Sequence, residues 1–524
     1  MIRSISLFVS RFTETAINRG ASKSQLPLRG VSLVALSAAA SACLSPLGAQ
    51  AQTVVKVFDF INGIDGLGLG TGASVPQCHF TPVGTNLWFT SQLGGGYGFG
   101  GIFSFDPTAG TVSQLANLDN NTGNKPWSSS VMLAGGKAWF TTSVGGTGNK
   151  GSLCSIETNF PYTVNNAFSF PTNATYGFGP HSTPIQIGDD LWFTTSSGGI
   201  VSGTNTTFGT IVKYNLTSNT LTNVLSLDSY NYGRQPLGSG LTKVGDDYYY
   251  LTYSGGTNIV SGSTPTGAGV LGKLSFGSSN QPVITKVIDL PGGALAFPPG
   301  DVVADGTNAL YFTTVGGNAN PGAIAKFDVQ TRTLTSLFTF KTNAADVAAY
   351  GKQPYGTPVL YNNELYYTTL SGGSIGKGVL AKLNLANNTV TKLADFEQAG
   401  GLALGASPQY NGATLYTNPV SGRICTYWAI NRGGVTNSTQ ALGSGTIIRV
   451  DLPPPPITLT SSNTRDGNLL LTWTGGYTPY SVDRKDDLSS AQWTTNHITN
   501  LSTNAVSIPA SEAQGFFRVR STNQ

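Results

Sequence analysis

Histidine is the side chain most often recruited for acid–base or metal chemistry, and the 524-residue chain has three: His79, His181 and His497. None stands in HxH or HExxH spacing, so the sequence offers no zinc-hydrolase motif. The recurring carboxylates, Asp189-Asp190 and Asp246-Asp247, fall in short turns and read as turn formers. Asp65, Asp301 and Asp346 stand elsewhere, but no two have spacing that argues for a glycosidase pair. No dense DxDxDG motif occurs, so a calcium loop is not indicated. No cofactor or metal site is expected, and the chain reads as non-enzymatic.

The more distinctive chemistry is cationic and aromatic. Residues 232–236 read YGRQP and residues 350–354 read YGKQP, 118 positions apart. Weaker relatives are TGNKP (122–126), YGFGP (176–180) and AFPPG (296–300). Gly bends such a segment and Pro fixes the entry into the next strand, so its recurrence first signals a repeated structural element. The side chains it presents can still bind: Tyr232, Arg234, Tyr350, Lys352, Lys125, Trp127, Tyr176 and His181 are expected around one mouth. Cations beside aromatic edges suit glycans or anionic peptides.

The elements that would position these residues repeat. LWFTSQLGGG (from Leu87), AWFTTSVGGT (Ala138), LWFTTSSGGI (Leu191), YYYLTYSGGT (Tyr248), LYFTTVGGN (Leu310), LYYTTLSGGS (Leu365) and a worn LYTNPVSG (Leu415) align. Six keep a double glycine, starting at Gly94, Gly145, Gly198, Gly255, Gly316 and Gly372, with spacings of 51, 53, 57, 61 and 56. That period suits a propeller blade better than a solenoid turn. Each unit reads as four alternating apolar strands. The expectation is an all-β chain with a seven-bladed β-propeller over 53–452. Repeat seven lacks a fourth strand and TVVKVFDF (53–60) has no preceding blade, so the N-terminal strand is expected to close the ring. Loops of variable length gather on the rim formed by the strand two-to-three connections and the blade-to-blade connections, where a binding surface is expected.

This pattern, a proline, an apolar strand, Leu-Tyr/Trp-x-Thr-Thr-x-Gly-Gly and then Gly-Thr-Ile-Val-Lys-Tyr, resembles the GloVer tandem repeat of bacterial secreted proteins and, more distantly, kelch repeats. The resemblance covers residues 54–451, with Phe where that repeat commonly has Gly. It implies architecture and export and carries no catalytic residues.

Only 10% of residues are charged, against roughly 25% in ordinary soluble proteins. Residues 1–51 read as a signal peptide: a basic lead, the apolar run VSLVALSAAASA, and Ala49-Gln50-Ala51 before Gln52. They carry five of the 29 basic and one of the 25 acidic residues, leaving 24 of each in the mature chain. Neither nucleic acid nor an anionic membrane is implied, no transmembrane segment is expected in the mature chain, and the location is outside the cell or at its surface. Of the mature cysteines Cys78, Cys154 and Cys425, at most one intrachain disulfide can form. Cys78 and Cys425, in neighbouring blades of a closed ring, are the candidate pair.

Pro453–Pro456 reads as a polyproline spacer. Beyond it, LLLTWTGG, YSVDRKDDL, AQWTTNHI and FFRVRS resemble a small fibronectin type III sandwich over 457–524, with Trp473 and Trp493 in its core. The function this organisation suggests is a secreted binding protein recognising carbohydrate or an envelope or matrix partner. The alternatives are a surface-layer or assembly component and, behind it, a polysaccharide-degrading enzyme.

Overall fold

The computed structural model describes residues 6–9, 52–60, 73–257, 259–260, 266–278, 280–306, 308–317, 320–397, 403–419, 421–435, 443–487, 492–509 and 515–521. Among them the chain is all-β, with antiparallel sheets throughout and one short α-helix, Ala344–Tyr350, capped by the Asn343 side chain. Apart from Ser6–Val9, which pairs with Gly515–Ser521, the leader expected over 1–51 lies outside the described residues. Among the described residues no helix is long and apolar enough to cross a membrane.

One compact unit comprises Gln52–Thr417 and Ile424–Leu452. It holds seven antiparallel sheets built on four strands each, numbered here along the chain. Sheet 1 runs Thr81–Val83, Asn86–Ser91, Gly101–Asp106 and Thr111–Asn117 in neighbour order. The second strands of sheets 2 to 6 are Lys137–Thr142, Asp190–Ser197, Asp247–Thr252, Ala309–Thr314 and Glu364–Thr368. In sheet 7, Ala413–Thr417, Ile424–Ile430 and Thr446–Asp451 are completed by Val54–Asp59 from the other end of the chain. The N-terminal strand thus supplies the partner that repeat seven lacks.

The seventh repeat is not worn. Leu415-Tyr416-Thr417 imitates the Leu-Tyr-x-Thr signature but lies in a first strand. The true second strand carries Tyr427-Trp428-Ala429-Ile430, and Tyr427 faces Arg449 as Tyr366 faces Lys382. Its double glycine is Gly433-Gly434, both at positive φ. A Cβ on Gly434 would lie 2.7 Å from Asp59 Oδ1, a closeness that only glycine permits.

Alternation along the strands buries one residue set between neighbouring sheets. Seven apolar clusters result, each straddling two successive sheets. The last brings Tyr427 and Ile447 of sheet 7 against Phe89, Phe103 and Phe105 of sheet 1, with Phe60 among them. The second-strand aromatics Trp88, Trp139, Trp192, Tyr311 and Tyr366 are all buried, so they pack the sheets. Each full burial contributes roughly 1.5–3 kcal/mol.

The threonine pair explains the signature's polar half. Its first member reaches the next sheet: Thr141 Oγ1 donates to Ser182 O at 2.8 Å, and Thr313 Oγ1 to Gly356 O at 2.7 Å. Its second member stays in its own sheet and accepts from the start of the third strand, as Thr195 Oγ1 does from Thr210 N–H at 3.0 Å. Buried hydroxyls are thereby satisfied and the sheets are latched together.

Cys78 and Cys425 share the cluster between sheets 7 and 1 as free, buried thiols, so the candidate disulfide does not form. Each sulfur is turned to a backbone carbonyl, Cys78 Sγ to Thr90 O at 3.1 Å and Cys425 Sγ to Tyr416 O at 3.8 Å. Burial pushes both thiols up to about 11.

The other unit contains Pro453–Gln524. Two small sheets there share one core, in which Trp473 lies edge-on to Tyr480 at 5.3 Å. Fully buried Asp483 holds both Arg518 (2.8 Å) and Arg520 (2.6 Å). Trp493, expected in the core, instead carries the Arg518 guanidinium 4.5 Å from its ring centroid.

Candidate functional site

The pentapeptides are lead-in segments, each placing the chain ahead of the first strand of a sheet. Tyr350 stands edge-on to Phe338 of the preceding sheet at 5.4 Å, and Tyr232 packs into the cluster between sheets 3 and 4. Both tyrosines are therefore half-buried seam residues. The glycine beside each, at φ +71 for Gly351, abuts a threonine at the end of the second strand or just past it; Gly351 is so close to Thr369 Oγ1 that no Cβ fits. Next, Arg234 exchanges backbone hydrogen bonds with Ser254, and Lys352 with Ser371. Arg234 Nε also donates to Ser254 Oγ at 3.0 Å. A fourth-strand lysine steadies each segment from outside: Lys286 Nζ donates to Tyr230 O and Lys392 Nζ to Ala348 O.

Lys125 is not the counterpart of Arg234 and Lys352, because Asn124 makes the equivalent backbone pair, with Val144. Lys125 occupies the place of Gln235 and Gln353, directly before the proline. There the backbone is left-handed in every segment: φ is 52 at Lys125, 54 at Gln235, 60 at Phe297 and 57 at Gln353. The conformation is uncommon for non-glycine residues and persists because the N–H is held by the preceding sheet, at 2.9 Å from Phe99 O for Lys125 and 2.8 Å from Pro321 O for Gln353.

These turns deliver a chain of six rings from six sheets. His181 lies 4.7 Å from Trp127, and Trp127 meets Tyr410 edge-on at 5.5 Å. Tyr410 meets Tyr355 at 4.9 Å with the hydroxyls 3.3 Å apart. Tyr355 shares a hydroxyl hydrogen bond with Tyr253, which stacks on Phe297 at 5.2 Å. Five of the residues belong to sheet-to-sheet connections and Tyr253 to a strand two-to-three connection, so all lie at the rim where loop length varies.

Desolvation raises the tyrosine pKa values of Tyr253, Tyr355 and Tyr410, keeping their hydroxyls protonated. Burial lowers His181 to about 4, so its imidazole is neutral. Trp127 Nε1 is buried without an acceptor among the described residues. Below the rings, the cavity lined by His79, Ser128, Gly238, Pro299, Thr357 and Tyr410 has about 10 Å³ of space, room for roughly one water.

Of the sequence candidates, the structure brings Trp127 and His181 together, keeps Tyr232 and Tyr350 in the seams, and leaves Lys125 exposed. Asp301 lies just ahead of the first strand of sheet 5, accepts from Gly240 N–H, and is raised by burial to about 6. Asp346 sits in the helix's first turn, and Asp65 lies outside the described residues. Tyr253, Phe297, Tyr355 and Tyr410 are not legible from repeat counting. Alignment on the lead-in prolines finds Phe297 just before the proline and Trp127, His181 and Tyr355 just after it. Among the described residues no group of three or more His, Cys, Asp or Glu gathers to hold a metal.

No family model and no curated protein matches the chain. Solved structures do. An oligogalacturonate lyase from Vibrio parahaemolyticus is 10% identical, covering 77% of this chain and 99% of its own, with a TM-score of 0.41. A putative 6-phosphogluconolactonase from Bacteroides uniformis is 12% identical over 77% and 98%, at 0.39. TolB from Acinetobacter baumannii is 12% identical at 0.32, and this chain spans 58% of its length. No activity is carried over from these proteins.

Proposed function

We propose that the mature chain is a secreted, non-enzymatic seven-bladed β-propeller of the GloVer-like type. It binds a carbohydrate or an envelope or matrix partner on the variable-loop face, and a fibronectin type III-like sandwich serves as its spacer or anchor. Supporting the architecture are seven four-stranded sheets, apolar clusters between every successive pair, and an N-terminal strand in sheet 7. The observation that carries the binding role is the chain of rings from six sheets on that face. Aromatic faces flanked by hydroxyl donors match the apolar faces and polar edges of a sugar.

The test is a glycan array probed with the mature chain beside Tyr355→Ala and the double variant Arg234→Ala/Lys352→Ala. Loss of signal with Tyr355→Ala at unchanged melting temperature is the expected result. Undiminished binding by that variant, or no binding by the wild type, would sink the aromatic face as the site. Binding unaffected by the double variant would remove the cations from the claim.

A further inference from the structure

At the opposite rim, where the turns are short, the sheets differ in one row of residues. In sheet 3, Lys213 lies across from Trp192, covers its ring at 5.7 Å and pairs with Asp190 at 2.8 Å. Sheet 6 repeats this with Lys382 over Tyr366 at 5.9 Å, paired with Glu364 at 2.9 Å. In sheet 4 Lys273 faces Tyr249 and pairs with Asp247 at 2.8 Å. Sheet 1 has Ser104 opposite Trp88, and Asn86 in place of the acid, its Nδ2 donating to Ser104 Oγ at 3.0 Å. The long cation and its partner are both replaced by short neutral residues, and the volume they would fill stays open.

The result is a groove of about 570 Å³ between sheet 1 and the strand three-to-four connection of sheet 2, well inside the roughly 300–1,000 Å³ of small-ligand sites. One wall is the row Trp88, Ser104 and Ser113 across three strands; the other is Thr158, Asn159 and Tyr162. Tyr162 stands edge-on to Trp88 at 5.7 Å. Beside it Phe160 is 84% exposed, unusual for so large an apolar side chain.

We propose that this groove binds a neutral oligosaccharide. Hydroxyls and amides on both walls offer donors and acceptors to sugar hydroxyls, while the Tyr162 ring offers apolar surface to the C–H face of a pyranose. The one charged residue on the walls is Asp106, and no lysine, arginine or histidine joins it among the described residues. A uronate would meet like charge with no cation to offset it, so neutral sugars are selected. The site is separate from the aromatic rings on the other rim and does not depend on them.

The experiment is titration calorimetry of the mature chain with cellohexaose, maltohexaose and hexagalacturonate. The key variant is the graft Asn86→Asp/Ser104→Lys, which rebuilds in sheet 1 the lysine cover that sheets 3, 4 and 6 already accommodate. Tyr162→Ser is a second variant, altered only in a surface connection. Binding of at least one neutral hexaose, weakened about tenfold or more by either variant and unaltered by Arg234→Ala/Lys352→Ala, is the expected result. Binding of neither neutral hexaose, hexagalacturonate binding as tight as the neutral sugars, or full affinity in both groove variants overturns the proposal.

Discussion

Thr194 Oγ1 donates a 2.7 Å hydrogen bond to the carbonyl of Ser239, which belongs to the next sheet. The same hydroxyl lies 3.1 Å from Ser182 Oγ, and all three residues are buried. Replacing Thr194 with Val keeps the volume and leaves Ser239 O without this donor. A buried group stranded in this way costs roughly 1–3 kcal/mol. Thr194→Val is therefore expected to lower the urea midpoint accordingly, while exposed Thr217→Val changes it little. Equal midpoints for the two variants would mean that the latch carries no stability.

The buried His181 and Asp301 set opposing pH dependences. His181 is lowered from 6.5 to about 4, so its contribution is full above pH 6.5 and is lost as pH falls towards 4, where the unfolded chain binds the proton first. Asp301 is raised from 3.8 to about 6; its contribution is full below pH 3.8 and is lost as pH rises towards 6. Between about pH 4 and 6 the two slopes oppose each other. Asp301→Asn is expected to leave the His181 slope uncovered, so that stability falls more steeply on acidification than in the wild type. His181→Gln is expected to give the reverse. Chemical unfolding at half-unit pH steps measures this, and three superimposable pH profiles would exclude the linkage.

The parts of the fold that repeat are legible in the sequence, because a four-strand unit leaves its mark seven times. The double glycines, the Thr-Thr latches and the unpaired strand at 53–60 all belong to this class. The seventh repeat misleads because Leu415-Tyr416-Thr417 copies a motif whose true equivalent, Tyr427-Trp428-Ala429-Ile430, has no threonine after its aromatics. Most of the candidate site is illegible for the converse reason. Tyr253 and Tyr410 are single aromatics at positions where other repeats carry unrelated residues, and Tyr355 matches Trp127 and His181 only once the segments are aligned on their prolines. Lys125 shows the same limit: in sequence it resembles a third rim cation, yet it is offset by one position, because the left-handed residue before the proline sets the true alignment.

The glycine and the cation of the pentapeptide are separable by experiment. Gly351 at φ +71 abuts Thr369 Oγ1, so Gly351→Ala introduces both backbone strain of roughly 1–2 kcal/mol and a steric clash. Lys352→Ala removes a half-buried side chain while its backbone bonds to Ser371 remain. Thermal unfolding is expected to show a clear loss for the first and little change for the second. A Lys352→Ala loss as large as that of Gly351→Ala would make the cation structural and remove the reason to treat it as a ligand contact.

Joining sheet 7 to the N-terminal segment makes stability depend on residues nearly 400 positions apart. Phe60 is 1% exposed, lies 5.4 Å from Phe58 and 5.6 Å from Phe89, and its N–H donates to Gly445 O at 3.0 Å. Phe60→Ala empties the seam between sheets 7 and 1 and is expected to cost about 3–5 kcal/mol. If Val54–Asp59 is the closing strand, the damage is local before it is global. Hydrogen exchange of the Phe60→Ala variant under native conditions is then expected to quicken first in Val54–Asp59 and Thr446–Asp451, with sheets 3 and 4 still protected. Uniform quickening across all seven sheets would show instead that the ring opens only by unfolding as a whole, and unchanged protection in Thr446–Asp451 would show that the seam does not depend on Phe60.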